Sequence, residues 1–296
     1  MPRPVSVREV LPRDGFQDER ALIPTATKLA IVERLWQAGL RWIEVSSMVH
    51  PRKLPQFADA QELLAQLAER DLDGLVRSVF VPNRRGLERA LAAGAQEVSL
   101  AVASTDTLSR ENFGMDRDAA LAEVLAVVAQ AHAAGVRSSV TIGGAFGCPF
   151  EGAVAPETVS ALASQLAQSA AESLFVADTI GVAKDGEVAA LVGRLAFELP
   201  VIPLGIHLHG GPGAVGDVLA AIDAGATLVD ASTSGLGACP FVPHAPGNVP
   251  TELVVAALHR AGVATDLDAA ALSAAARDIT HVLKEVRSRE LTDARR

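Results

Sequence analysis

Eight short runs rich in β-branched and apolar residues recur along the chain, separated by Ala- and Leu-rich segments of helical periodicity. The runs are VSVREV (5–10), WIEVSS (42–47), LVRSVFVP (75–82), EVSLAVAS (97–104), VRSSVTI (136–142), SLFVAD (173–178), IPLGIHLH (202–209) and TLVDAS (227–232). Between them lie TKLAIVERLWQAGL (27–40), AALAEVLAVVAQAHAAG (119–135) and GDVLAAIDAGA (216–226), several closing on the glycine that ends helices well. Alternation of this kind predicts parallel strands joined by crossover helices. Eight such units in 296 residues fit a closed α/β barrel, the (β/α)8 TIM barrel, better than an open sheet. No linker-like or low-complexity stretch divides the chain, so one domain over 1–296 is expected, with a helical C-terminal tail from about residue 268.

Composition narrows the partners. Hydrophobic residues make up 49% of the chain, ample for a sizeable core. A net charge of −9, with no cluster of Lys and Arg, argues against a nucleic-acid surface, so an anionic ligand must find local positive charge. The two cysteines, Cys148 and Cys239, lie far apart and outside any C-x-x-C pattern, which points to a reducing compartment rather than a disulfide framework or structural zinc. No run approaches the roughly 20 apolar residues of a membrane span. Strand-like sequence begins within the first ten residues and leaves no room for a signal peptide. A cytoplasmic protein without membrane partners is expected.

In a barrel of this type chemistry gathers at the C-terminal ends of the strands. The first run leads into LPRDGFQDE with Arg13 and Asp14, the second carries Glu44, the sixth ends at Asp178 and the seventh at His207 and His209. Period-two alternation puts Leu204, Ile206 and Leu208 on one face of the seventh run and Gly205, His207 and His209 on the other. A single histidine at a strand end is commonly structural, but two on one face reach the same point, and a divalent cation offsets their burial. With Asp14 and one amide oxygen they make a mixed N/O set suited to Mg2+ or Mn2+. A rival pattern overlaps them. Gly211, Gly213 and Gly216 spell G-x-G-x-x-G after a strand, with Asp230 at the end of the next, as a dinucleotide site requires. Pro212 inside the first turn and six preceding βα units argue against it.

The motifs EVLPRDGFQDE, IEVSSMVHPRKLPQFAD, VPNRRGLERALAAGA, FGCPFEG, ADTIGVA, HLH and GLGACPFVPHAPGNVPTE resemble, in order and spacing, those of the 3-hydroxy-3-methylglutaryl-CoA lyase family. The resemblance runs from residue 8 to about residue 255. It implies a (β/α)8 metallolyase that cleaves a 3-hydroxyacyl-CoA to acetyl-CoA and a keto acid with Mg2+ or Mn2+. It further implies that Asp14, His207, His209 and Asn248 hold the metal and that Arg13 steadies the enolate oxygen. Cys239 would take part in proton transfer, while Glu44 and Asp178 match acidic positions of the family's site. His207 is counted both as ligand and as catalytic. The expected partner is a small acyl-CoA thioester, and the expected assembly a homodimer or higher homo-oligomer. A Claisen-type condensing enzyme and an acyl-CoA-binding barrel without catalysis are the alternatives.

Elementary chemistry agrees with those roles. Breaking a carbon–carbon bond beside a thioester needs a hydroxyl proton removed, a cation to lower that hydroxyl's pKa, and donors where the enolate forms. Glu44 on an inward position would be a costly buried charge unless it pairs with Arg13 or water. Asp178 could equally be a cap before TIGV, and Cys148 reads as structural. Arg20, Arg52 and Lys53 follow the first two strands and could meet CoA phosphates, or form a solvated basic rim. The departures from the family fall at the site. Gly210 and Gly211 stand where the family has Asp-Thr, which removes a carboxylate and frees the turn. Ala238, Phe241, Pro243, His244 and Pro246 replace the family's residues in the last loop, and predict a changed acyl pocket.

Overall fold

The computed structural model describes residues 4–184, 186–237 and 246–293. Eight parallel strands close on themselves in chain order: β1 (Ser6–Glu9), β2 (Trp42–Ser47), β3 (Val76–Phe80), β4 (Glu97–Ala103), β5 (Arg137–Gly143), β6 (Ser173–Asp178), β7 (Leu204–Leu208) and β8 (Leu228–Ala231). Each begins and ends within two residues of its sequence-predicted run. β1 closes the barrel against β8, with Ser6 opposite Leu228 and Arg8 opposite Asp230. The helix Ala269–Asp293 forms the C-terminal tail. It is held to the barrel by an Arg34–Asp278 ion pair at 2.8 Å and by Arg287 on Glu19.

The two faces of the strands have opposite chemistry. Ile43 and Val45, Val98 and Leu100, Val140 and Ile142, Leu174 and Val176, and Leu204, Ile206 and Leu208 point outward into one continuous apolar layer beneath the helices. This burial drives closure, because a strand's apolar side can leave water only by packing on the crossover helices. The alternating residues line an interior that is polar. It holds Arg8, Glu44, Ser78, Glu97, Ser99, Ser139 and Asp230, all buried, beside Trp42 and Phe175. TIM barrels are usually filled by branched aliphatic side chains, so the charged layer here marks a built site.

One glycine makes that interior possible. Phe175 on β6 is fully buried and lies opposite Gly205 of β7. A Cβ on Gly205 would sit 2.3 Å from the Phe175 ring, so only a residue without a side chain admits the aromatic. Gly205→Ala is therefore expected to cost about 1–3 kcal/mol of unfolding free energy in urea titration, the usual range for overpacking. Adding Phe175→Leu should recover most of the loss by vacating the space. Unchanged stability of Gly205→Ala would mean that the ring and strand shift freely, against this packing.

Candidate active site

The turn after β1 sets the first two site residues. The amides of Arg13, Asp14 and Gly15 all donate to the Val10 carbonyl, at 3.1, 2.7 and 3.3 Å, making Leu11–Gly15 a single π-helical turn. Pro12 stands second in it without losing a bond, since the opening residues of a helical turn need no donor. Such turns commonly mark functional positions, because the widened winding re-aims a side chain. Here it carries Arg13 and Asp14 over the barrel mouth. The turn is pinned by Glu9, whose buried carboxylate accepts from Leu11 N at 2.9 Å, Thr233 Oγ1 at 2.6 Å and Thr251 Oγ1 at 2.8 Å.

The seventh strand and the last loop bring the other groups. His209 pairs with Asn248 in an isolated antiparallel bridge, and Val249 N donates to the Leu208 carbonyl at 3.2 Å, so the loop returns alongside the end of β7. His207 Nε2 and His209 Nε2 lie 3.1 Å apart, and each is near Asp14 Oδ2, at 3.8 and 3.9 Å. One ligand atom from each of Asp14, His207 and His209 lies within 4.8 Å of the others, the three residues being buried. The Asn248 side chain joins them by donating from Nδ2 to Asp14 Oδ2 at 2.8 Å and to the Leu236 carbonyl at 2.9 Å.

Outer partners fix how these groups present themselves. His207 Nδ1 meets Asp230 Oδ2 at 3.1 Å, and His209 Nδ1 meets the Pro246 carbonyl at 3.3 Å. Both rings then carry their proton on Nδ1 and turn an Nε2 lone pair toward the same point, an unfavourable arrangement without a positive charge between them. Asn248 Oδ1 is buried with no hydrogen-bond partner. An orphaned amide oxygen, two facing imidazole lone pairs and a carboxylate fit a divalent ion that takes mixed N and O ligands.

The electrostatics hold the set ready. Burial works against ionising Asp14, but the Arg13 guanidinium and the two imidazoles outweigh it and lower its carboxyl to about 2. Burial and the neighbouring His207 lower His209 to about 4, so it is neutral at physiological pH. His207 moves the other way. Burial opposes its charged form, yet the hydrogen bond to Asp230 and the nearby Asp14 raise its pKa. His207 would hold an ion through Nε2 while its Nδ1 stays on Asp230.

Arg13 sits at the rim of this cluster. Its Nε donates to Glu44 Oε2 at 2.6 Å and its Nη1 to Asp14 Oδ1 at 2.7 Å, while the guanidinium carbon stacks 4.7 Å from the Phe80 ring centroid. Nη2 has no partner among the described residues, and the side chain is 18% exposed, toward the mouth. Glu44 is fully buried and satisfied by Arg13 and Ser99, the pairing its sequence position called for.

Asp178 accepts from the amides of Val182 and Ala183 at 3.1 and 2.9 Å, so its carboxylate caps the loop after β6, and burial raises its pKa. Arg20, Arg52 and Lys53 are exposed on the loops after β1 and β2. Cys239 lies outside the described residues. Cys148 is buried and accepts from Thr105 Oγ1 at 3.0 Å, a structural role. Gly210 and Gly211 both donate their amides to the Gly247 carbonyl at 2.9 Å, which clips the turn after β7 to the last loop. The G-x-G-x-x-G pattern has a different meaning from the dinucleotide one. Added Cβ atoms at Gly213 and Gly216 would meet nothing, and Asp230 is held inside the barrel by Arg8 and His207. Sequence reasoning missed Arg8, Glu9 and Glu97, and saw Asp230 only in that pattern. An arginine alternating inward on a barrel strand was the available signal.

Fold and cluster together define a class: a TIM barrel with a candidate divalent-metal centre at its C-terminal mouth. The HMGL-like family model matches residues 5–279, and the chain belongs to that family. It is 38% identical to hydroxymethylglutaryl-CoA lyase of Pseudomonas mevalonii over 270 residues, covering 91% of this chain and 89% of that protein. It is 37% identical to (R)-citramalyl-CoA lyase of Chloroflexus aurantiacus over 280 residues, covering 92% and 88%. Among solved structures, an HMG-CoA lyase from Acinetobacter baumannii in complex with coenzyme A and 3-methylmalate superposes with TM-score 0.88 at 30% identity, covering 95% and 92%. The activity class is carbon–carbon lyase. Among the described residues, no helix is long and apolar enough to cross a membrane.

The close approach of the last loop is testable. Gly237 has φ +96°, and a Cβ there would lie 2.7 Å from both Asn248 Nδ2 and the Asp14 carbonyl. Gly237→Ala should push Asn248 off the cluster and weaken Mn2+ binding at least about 10-fold in titrations followed by electron paramagnetic resonance, as Asn248→Ala should directly. Equal Mn2+ affinity in both variants and the unmodified chain would remove Asn248 from the site.

Proposed function

We propose that the chain cleaves a 3-hydroxyacyl-CoA thioester to acetyl-CoA and a keto acid, using Mg2+ or Mn2+ held by Asp14, His207, His209 and Asn248. The observation that carries this reading is the convergence of those four side chains beside an arginine whose Nη2 has no partner among the described residues. When bound, the ion supplies Lewis acidity that lowers the pKa of the substrate hydroxyl. That hydroxyl proton passes to a water acting as base at the barrel mouth, the bond between C2 and C3 breaks, and its electron pair passes to the thioester as an enolate. The C3 oxygen becomes the keto carbonyl, and the enolate takes a proton at C2 to give acetyl-CoA. Arg13 Nη2 is the donor for the enolate oxygen, with Glu44 and Phe80 locking the guanidinium plane so that little reorganisation accompanies bond breaking. Cys239 is assigned proton transfer through the family resemblance. Asp178 contributes by fixing the loop beside the mouth. Arg20, Arg52 and Lys53 are candidates for the CoA phosphates.

Two thioesters head the list of substrates, 3-hydroxy-3-methylglutaryl-CoA and citramalyl-CoA. They share a tertiary alcohol at C3 and differ by one methylene before the distal carboxylate. A panel of 3-hydroxyacyl-CoA thioesters including both, scored for acetyl-CoA release, should show turnover with Mg2+ or Mn2+ and none with chelator. Release that survives chelation, or none from any member, sinks the metallolyase reading.

With the best substrate in hand, Arg13→Lys is expected to lower kcat by about 10²-fold while leaving KM and Mn2+ affinity within a few-fold. Lysine keeps the charge and loses the planar fork that holds Glu44 and Asp14 while offering a third donor. Full kcat with a raised KM would make Arg13 a binding residue only.

A further inference from the structure

Arg8 is a fully buried charge inside the barrel, away from the bulk solvent. Its side chain is 2% exposed and lies within the barrel below the histidines. Nε and Nη2 donate to the two oxygens of Asp230 at 2.7 and 2.8 Å, a bidentate fork, and Nη1 donates to Ser139 Oγ at 2.7 Å. Glu97 lies at 3.7 Å. The guanidinium carbon is 4.4 Å from the Phe175 ring centroid and 5.0 Å from that of Trp42, so two aromatic rings border the plane. Every direction in which the group could swing is thus taken by a hydrogen bond or a ring.

Asp230 passes this rigidity on. Its Oδ2 is shared between Arg8 Nη2 and His207 Nδ1, at 2.8 and 3.1 Å. A carboxylate free to rotate would present His207 with a varying acceptor. Clamped through both oxygens, it offers one lone-pair direction, which fixes the ring's tilt and keeps its proton on Nδ1. Nε2 is then obliged to face Asp14 and His209. We propose that Arg8 is a positioning residue for the metal centre, acting on the ligand His207 through Asp230. The three residues come from β1, β8 and β7, adjacent strands at the barrel's closure, so the same contacts that shut the barrel orient the ligand. The proposal rests on the metal reading above.

The test uses the full chain and Mn2+ alone. Arg8→Lys keeps a cation near Asp230 and Glu97 but cannot form the fork, and it should weaken Mn2+ binding about 10- to 100-fold with cooperative thermal unfolding retained. Asp230→Asn should weaken binding at least as much, since an amide nitrogen beside Nδ1 favours the proton on Nε2. In the Asp230→Asn background, Arg8→Lys should change Mn2+ affinity less than 2- to 3-fold, because the connection is already cut. In the NMR spectrum of 15N-histidine-labelled protein, Arg8→Lys should shift His207 away from the Nδ1–H form. A purely structural arginine would lower Tm and leave both the Mn2+ affinity and that tautomer unchanged, and this result overturns the proposal. An undiminished effect of Arg8→Lys in the Asp230→Asn background overturns it too, since Arg8 would then act by another route. Absence of Mn2+ binding by the unmodified chain would overturn the metal reading and this inference together, whereas normal binding with unaffected Arg8 variants rejects the inference alone.

Discussion

Charge enclosed in the barrel is the constraint on which the rest of this structure turns. Asp14, Glu44, Glu97 and Asp230 share the interior and mouth with the guanidinium groups of Arg8 and Arg13, and Arg137 reaches Glu97 from outside. A buried ion is tolerated only when its partners replace the water it has lost, and breaking one such pair costs several kcal/mol. Each carboxylate is accordingly bound by an arginine in a specific geometry. The part of this network open to a ligand is where Asp14 faces two imidazoles. A divalent cation is the species that brings such a cluster near neutrality. An ion held there would thus act on the charge balance of the whole interior, not only on the residues that would touch it.

The apolar half of each strand makes this arrangement affordable. Valine, isoleucine and leucine alternate outward into the layer under the helices, and their burial supplies the driving force that a charged interior cannot. Division of labour by strand face separates folding from chemistry. Residues such as Val98, Val140 and Ile206 can be read as scaffold. Their neighbours one position along, Ser99, Ser139 and His207, belong to the network inside. Phe175 spans both functions. It fills the space Gly205 leaves and forms one wall of the Arg8 pocket.

The loops then complete what the strands begin. The π-helical turn aims Arg13 and Asp14, the loop after β6 is capped by Asp178, and the strand-like return at Asn248 sets its side-chain amide on Asp14. Glu9 ties the first and last of these together by accepting from Leu11, Thr233 and Thr251. Groups separated by more than two hundred residues thereby hold a common geometry, because each rests on backbone that is itself hydrogen-bonded to the barrel end.

The eight strands, the helical tail, the inward pair His207 and His209, and the Arg13–Glu44 pairing were legible in the sequence. Each follows from local periodicity or from the cost of burying one named charge. Asp14 was read from its place at the end of the first run, and Asn248 was reached through motif resemblance, since nothing local relates residues 14 and 248. Arg8, Glu97 and the true role of Asp230 were not legible. An arginine followed by a glutamate on a short strand reads as surface until closure of β1 on β8 turns one inward beside Asp230 and the other toward Thr233 and Thr251. Sequence by itself determined the repeating unit and which face of each strand was apolar, because alternation is a local property. Only the tertiary structure decided which charges meet, because closing the barrel brings distant strands together and burial then demands a partner for every charge it encloses.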